Sequence, residues 1–173
     1  MSRKSHARVW IGGCIVASVV ILVLQILDPW YQFLIRDDES WPHHRFFLLR
    51  KNIPPVRGSL VAFTMTEAYT TRVKPAGVTR PYTRVGLLWL KRVVGMPGDR
   101  VDVQEDAVRV NGQIVARGLR RDRAGHSLQV AHLKSPIPNN SVFVSLPHPR
   151  SFDSRYFGYV DMNDILGEVI PIW

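Results

Sequence analysis

Two side chains in this sequence have the chemistry of a base and a nucleophile. Lys91 follows the apolar run Val85-Gly86-Leu87-Leu88-Trp89-Leu90 and precedes Arg92-Val93-Val94 and a turn, Gly95-Met96-Pro97-Gly98-Asp99, that no helix survives. The spacing predicts a buried strand ending at Lys91 and Arg92. On an extended chain Lys91 shares a face with Leu87, Trp89 and Val93. Burial there disfavours an ammonium ion, and neighbouring Arg92 disfavours it further, which leaves a neutral amine able to act as a general base. The same pattern also fits a lysine that lays its stem on apolar surface and keeps its amine in water. The serine is Ser40, in Ser40-Trp41-Pro42, where the proline stiffens the backbone and favours an extended Trp41. Such stiffening can hold a hydroxyl exposed for attack. Coming after Asp37-Asp38-Glu39, Ser40 also fits a polar turn residue. A G-x-S-x-G elbow is absent, so the sequence offers a Ser-Lys pairing and not a triad. His6, His43, His44, His126, His132 and His148 form no metal-ligand pattern, and neither a metal nor another cofactor is expected.

The elements that must position these groups read as short strands. Residues 45–49, 59–63, 85–90, 100–103, 141–145 and 165–170 are apolar or alternating and bounded by Gly, Pro or polar clusters. Residues 107–110 and 113–116 flank Asn111-Gly112, the dipeptide a type I′ turn prefers because both turn positions need positive φ. A hairpin is expected there. Residues 67–84 and 117–140 are rich in Thr, basic residues or Pro and are expected as exposed loops. The fold class predicted is mainly β.

Ahead of this domain, residues 9–27 carry no charged side chain and as a helix reach about 28 Å, the hydrocarbon thickness of a bilayer. The stretch exceeds the apolar core of a cleaved signal, and Asp28-Pro29-Trp30 stands where small residues would be needed. A single N-terminal transmembrane helix is therefore predicted. Arg3, Lys4 and Arg8 keep residues 1–8 in the cytoplasm, and Trp30 and Tyr31 suit the opposite interface, so residues 28–173 lie outside the cytoplasm. At 173 residues and 46% hydrophobic content, one sizeable core is expected. The net charge of +9 permits an anionic partner, but the basic residues are scattered and form no stripe, so no nucleic-acid partner is expected. Cys14 is the only cysteine, so no intramolecular disulfide forms.

Four blocks occur in one order: Ser40-Trp41-Pro42, Arg57-Gly58-Ser59-Leu60-Val61-Ala62-Phe63, residues 91–99, and Ser151-Phe152-Asp153-Ser154-Arg155-Tyr156-Phe157-Gly158. Together they resemble the boxes of the type I signal peptidase family, and the short chain with a serine near the membrane is most similar to its conjugative-transfer members of the TraF type. The resemblance implies a coiled β-sheet domain behind the anchor. It implies that Ser40 is the nucleophile, Lys91 the general base, and Ser151 the serine that orients the lysine. It further implies structural roles for Arg57, Gly58, Gly95, Pro97, Gly98, Asp99, Asp153, Ser154 and Arg155. Three features depart from the pattern. Asp38 stands where a serine or threonine usually supplies a second oxyanion donor, and Ser59 stands where the second block more often has aspartate. The Ser-x-Pro-x-Gly form expected of the TraF type is incomplete, since Arg45 follows His43 and His44 with no glycine near.

The function implied is a membrane-anchored serine endopeptidase of the bacterial inner membrane, its catalytic domain periplasmic. Its partners would be the lipid bilayer and an exported preprotein, a pilin-like precursor of a conjugation system. Phe46 or Trp89 are candidates to line the groove for an extended peptide. The alternative, supported by Asp38, is an inactive membrane-tethered scaffold of a pilus or secretion assembly.

Overall fold

The computed structural model describes residues 3–36, 45–72 and 82–172, and its frame is the alternation of apolar side chains along antiparallel strands. Helix α1 (Arg3–Leu27) leads into β1 (Tyr31–Ile35), which pairs with β2 (Phe46–Lys51). Strand β3 (Leu60–Thr64), the short helix α2 (Glu67–Thr71) and β4 (Leu88–Gly95) follow. A three-stranded excursion comes next, made of β5 (Val101–Gln104), β6 (Ala107–Val110) and β7 (Gln113–Arg117). Then β8 (Ser141–Ser145), α3 (Ser154–Phe157), β9 (Val160–Asp161), a 3-10 turn (Met162–Asp164) and β10 (Ile165–Pro171) complete the order. The main sheet has seven strands in the order β1-β2-β10-β3-β4-β8-β9. The class is mainly β, as the strand pattern predicts.

Both faces of the main sheet are packed. On one, Val61, Phe63, Val93 and Val144 meet Tyr69, Tyr156 and Phe157 from outside the sheet. On the other, Leu34, Phe47, Leu49, Leu60, Ala62, Leu90 and Val169 form a second cluster. A third cluster, with Val101, Val108, Val110, Ile137 and Phe143, joins the excursion to β8. Bulges curl the sheet where β4 meets β8 and where β10 meets β3. The β10 bulge depends on Gly167, at φ 153°, because a Cβ there would lie 2.0 Å from the Arg50 carbonyl oxygen. The hairpin around Asn111-Gly112 forms with both residues at positive φ, 50° and 84°.

Several boundaries differ from expectation. Strand β4 begins at Leu88 and runs to Gly95, so Lys91 lies in its middle and not at its end. The reason is β3, which pairs residue for residue from Leu60↔Arg92 to Thr64↔Leu88, with Val93 N–H donating to Ser59 O at 2.9 Å beyond. Residues 85–87 instead form a turn at Gly86 (φ 85°), closed by Gly86 N–H donating to Met65 O at 2.8 Å. Within the stretch expected as an exposed loop, Glu67–Thr71 is helical because Tyr69 anchors it, its ring buried against Phe63 and Phe157. Strand β1 was not expected at all. Helix α1 begins at Arg3, and its described side chains from Gly12 to Leu27 are exposed. Among the described residues, no helix is long and apolar enough to cross a membrane.

Gly95 marks where the strand carrying Lys91 meets the third cluster. A Cβ there would come within 2.7 Å of Ile137 Cδ1 and 2.9 Å of Phe143 Cβ. Gly95→Ala is therefore expected to destabilise the domain by about 1–3 kcal/mol through overpacking. Urea denaturation checks this, and an unshifted midpoint would contradict it.

Candidate functional site

Lys91 is 6% exposed, on β4, an interior strand flanked by β3 and β8. Directly across on β3 is Val61, and Trp89 and Val93 share its face, the face predicted from alternation. Its Nζ lies 5.2 Å from the centroid of the Trp89 ring. Of the two readings open to the sequence, a buried amine and one extended into water, the structure has the buried one. The expected partner, Ser40, lies outside the described residues, as do Asp38, Trp41 and Pro42.

The loop after β8 brings the fourth block to this neighbourhood. Arg92, next to Lys91, pairs with Ser145 at the end of β8. Asp153 Oδ2 accepts from Ser145 Oγ at 3.0 Å and from Leu146 N–H at 3.3 Å, folding the loop back onto the strand it has just left. Arg155 clamps that carboxylate with both prongs of its guanidinium, Nε to Oδ1 and NH2 to Oδ2, each at 2.8 Å. It also donates to the carbonyls of Leu146, Pro149 and Arg117. Asp153 is 0% and Arg155 2% exposed. A buried ion pair of this kind persists when hydrogen bonds satisfy what the pair itself leaves over, as here. Ser154 Oγ accepts from Val144 N–H at 3.0 Å, a further tie to β8.

Held by these bonds, Ser151 is fully buried, its amide donating to His148 O at 2.9 Å. Its Oγ has no hydrogen-bond partner among the described residues. A buried hydroxyl in that condition is costly and calls for a function. Adjacent Phe152 reaches Trp89, ring centroids 5.9 Å apart, so the residue after Ser151 touches the ring beside the Lys91 amine.

The second and third blocks cross-link each other. Arg57 NH2 donates to both Asp99 oxygens, at 2.8 and 2.6 Å, and its NH1 donates to Val94 O at 3.0 Å. Asp99 also accepts from Met96 N–H at 2.7 Å and from the Asn111 amide at 2.8 Å. This ties the turn through Pro97 and Gly98 to the segment before β3, where Gly58 N–H donates to Val93 O at 2.8 Å. Burial raises the Asp99 pKa, but the Met96 amide, the Arg57 guanidinium and the Asn111 amide outweigh it and hold the carboxyl below its ordinary 3.8. Among the described residues the Ser59 hydroxyl, in place of aspartate, bonds to the Val56 backbone in its own turn. Asn111 was read from sequence as a turn former alone, and nothing local marks its second role at Asp99. Phe46 lies on β2, separated from β4 by β10 and β3, whereas Trp89 lies at the site.

A family model described as signal peptidase, peptidase S26, matches residues 8–173. The chain is 34% identical over 93 residues to the signal peptidase I of Bacillus caldolyticus, covering 47% of this chain and 50% of that protein. It is 29% identical over 132 residues to the signal peptidase I of Leptolyngbya laminosa, covering 69% and 54%. It is 33% identical over 87 residues to the plasmid transfer protein TraF of Escherichia coli, covering 48% and 49%. The chain thus spans about half the length of these curated relatives. Among solved structures, a signal peptidase I from Enterococcus faecalis V583 aligns over 66% of this chain and 95% of that chain, at 23% identity and TM-score 0.40.

The Arg57–Asp99 link gives a pH signature. Because the folded-state pKa of Asp99 lies below its unfolded value, its contribution to stability is fully present above pH 3.8 and is lost as pH falls through the folded value. Asp99→Asn is expected to cost about 1–3 kcal/mol at neutral pH. The gap between wild type and variant should narrow in acid. Thermal melts of both proteins from pH 7 to 3 check this, and a gap independent of pH would contradict it.

Proposed function

Because the chain belongs to the signal peptidase family, peptidase S26, we propose that it is a serine endopeptidase that cleaves signal or leader peptides from exported preproteins. The observation that carries this reading is the burial of Lys91 on an apolar sheet face beside Trp89. An amine there is disfavoured as an ammonium ion and is suited to accept a proton. Ser40 Oγ attacks the scissile carbonyl carbon while its proton passes to Lys91 Nζ. The carbonyl π electrons move to oxygen, and the Ser40 amide donates to that oxyanion. Collapse breaks the peptide C–N bond, and Lys91 returns the proton to the leaving amine. Water then attacks the acyl-enzyme, giving a proton to the same amine; the second tetrahedral intermediate collapses with cleavage of the ester C–O bond, Lys91 returns that proton to Ser40 Oγ, and the carboxylic acid leaves. Ser151 is the positioning residue, its buried hydroxyl free among the described residues to accept from or donate to the lysine amine.

The remaining details of the reading concern place and substrate. Residues 9–27 are the membrane anchor, residues 1–8 the cytoplasmic tail and residues 28–173 the periplasmic domain. An apolar surface on β1, the strand that follows α1, supports contact with lipid: Phe33 is 68% and Ile35 74% exposed. The similarity to the plasmid transfer protein supports a conjugation system and a pilin-like precursor as substrate. Confining the site to the membrane surface places it where a substrate's own apolar segment emerges.

Cleavage of a candidate precursor by the detergent-solubilised full chain tests the proposal. Ser40→Ala and Lys91→Met are each expected to lower the rate by at least about 1,000-fold. In the active protein kcat/KM should fall as pH falls, because protonation removes the base. Processing that persists in both variants would refute the pairing.

A further inference from the structure

A cavity of about 670 Å³ is lined in part by Trp89, which also packs against the first core cluster. Its floor is aromatic. Phe152 stacks on Tyr156 at 5.2 Å and 16°, and meets Tyr82 at 5.0 Å and Trp89 at 5.9 Å. Its rim carries Arg121, Arg123 and Arg150; Arg123 has a partner of its own, which leaves Arg150 as the group available to a ligand, and Asp122 is the one carboxylate among the described residues that line it. That carboxylate is already engaged inside the protein. It accepts from the Tyr82 hydroxyl and from His126 N–H and Nδ1, both at 2.8 Å. The Arg150 guanidinium is exposed and makes no hydrogen bond or ion pair with a described residue. Arg121 donates to the Gly125 carbonyl at 2.9 Å, which fixes one edge of the rim.

We infer that this cavity recognises an acidic side chain, Asp or Glu, of the peptide substrate at a position near the cleaved bond. The inference rests on the proposed peptidase function and adds a specificity to it. An apolar floor with guanidinium groups above it suits the short stem and planar carboxylate of Glu, with Arg150 donating in a forked pair. The Trp89 ring is a shared wall, one side of it lining the cavity and its centroid 5.2 Å from Lys91 Nζ.

The test uses the full chain in detergent micelles and a peptide series with one Glu placed at each position flanking the cleavage site, matched to Gln and Lys versions. At one position Glu should be favoured over Gln by about fivefold in kcat/KM, carried by KM with kcat unchanged. The preference should vanish in about 0.5 M salt. Arg150→Glu should reverse it, so that the Lys peptide becomes the better substrate. Binding of the same labelled peptides to the Ser40→Ala chain, read by fluorescence anisotropy, separates the two ideas. Charge-dependent binding to that chain, with no cleavage of any peptide by the unsubstituted chain, would sink the peptidase reading and leave the cavity's role standing. Cleavage that is indifferent to charge at every position, or a preference untouched by Arg150→Glu, overturns the inference.

Discussion

An amine enclosed in the apolar face of a β-sheet is the constraint on which the rest of the site depends. Water solvates an ammonium ion far better than Val61, Trp89 and Val93 do, so the fold must fix Lys91 firmly to keep it there. Its place at the middle of β4, laddered to β3 on one side and followed by pairing with β8 on the other, supplies that rigidity. The pairing fixes the Lys91 backbone, and with it the face of the sheet from which the side chain projects.

Two ion pairs then hold the surroundings of β4, and they do so differently. Asp153 and Arg155 are entirely enclosed and bind each other, a serine hydroxyl and several carbonyls, so their worth lies in fixing one loop conformation more than in net stability. That loop carries Ser151 and Phe152 to the Trp89 side of the sheet. Arg57 and Asp99 are partly exposed and connect the segment entering β3 with the turn leaving β4. The motifs are scattered through the sequence, but each pair spans two parts of the chain that the sheet brings together.

Much of this was legible in the residues. Alternation alone placed Lys91 on the Trp89 face, and Asn111-Gly112 marked its hairpin, because both signals are local and periodic. The strand limits were less legible. Leu87 has the apolar character of a strand residue, but Gly86 takes positive φ and turns the chain, and the true register follows from long-range pairing with Leu60–Thr64. Tyr69 looked like part of a polar loop, since nothing nearby in sequence announces the Phe63 and Phe157 rings it packs on. The second role of Asn111 at Asp99 and the cavity beneath Phe152 are likewise products of tertiary structure. Ser40, Asp38 and the rest of the first block lie outside the described residues, so the nucleophile rests on the resemblance of the blocks.

The proposed chemistry turns on one amine, that of Lys91, activating one hydroxyl, that of Ser40. Intact-mass measurement of the full chain treated with a peptide-like acylating reagent, followed by mapping of the adduct, tests it most directly. The expected result is a single acyl group on Ser40 whose formation slows as the pH falls and is abolished by Lys91→Met. Acylation of Ser40 at an undiminished rate in the Lys91→Met chain, or an adduct on a different residue, would contradict the account.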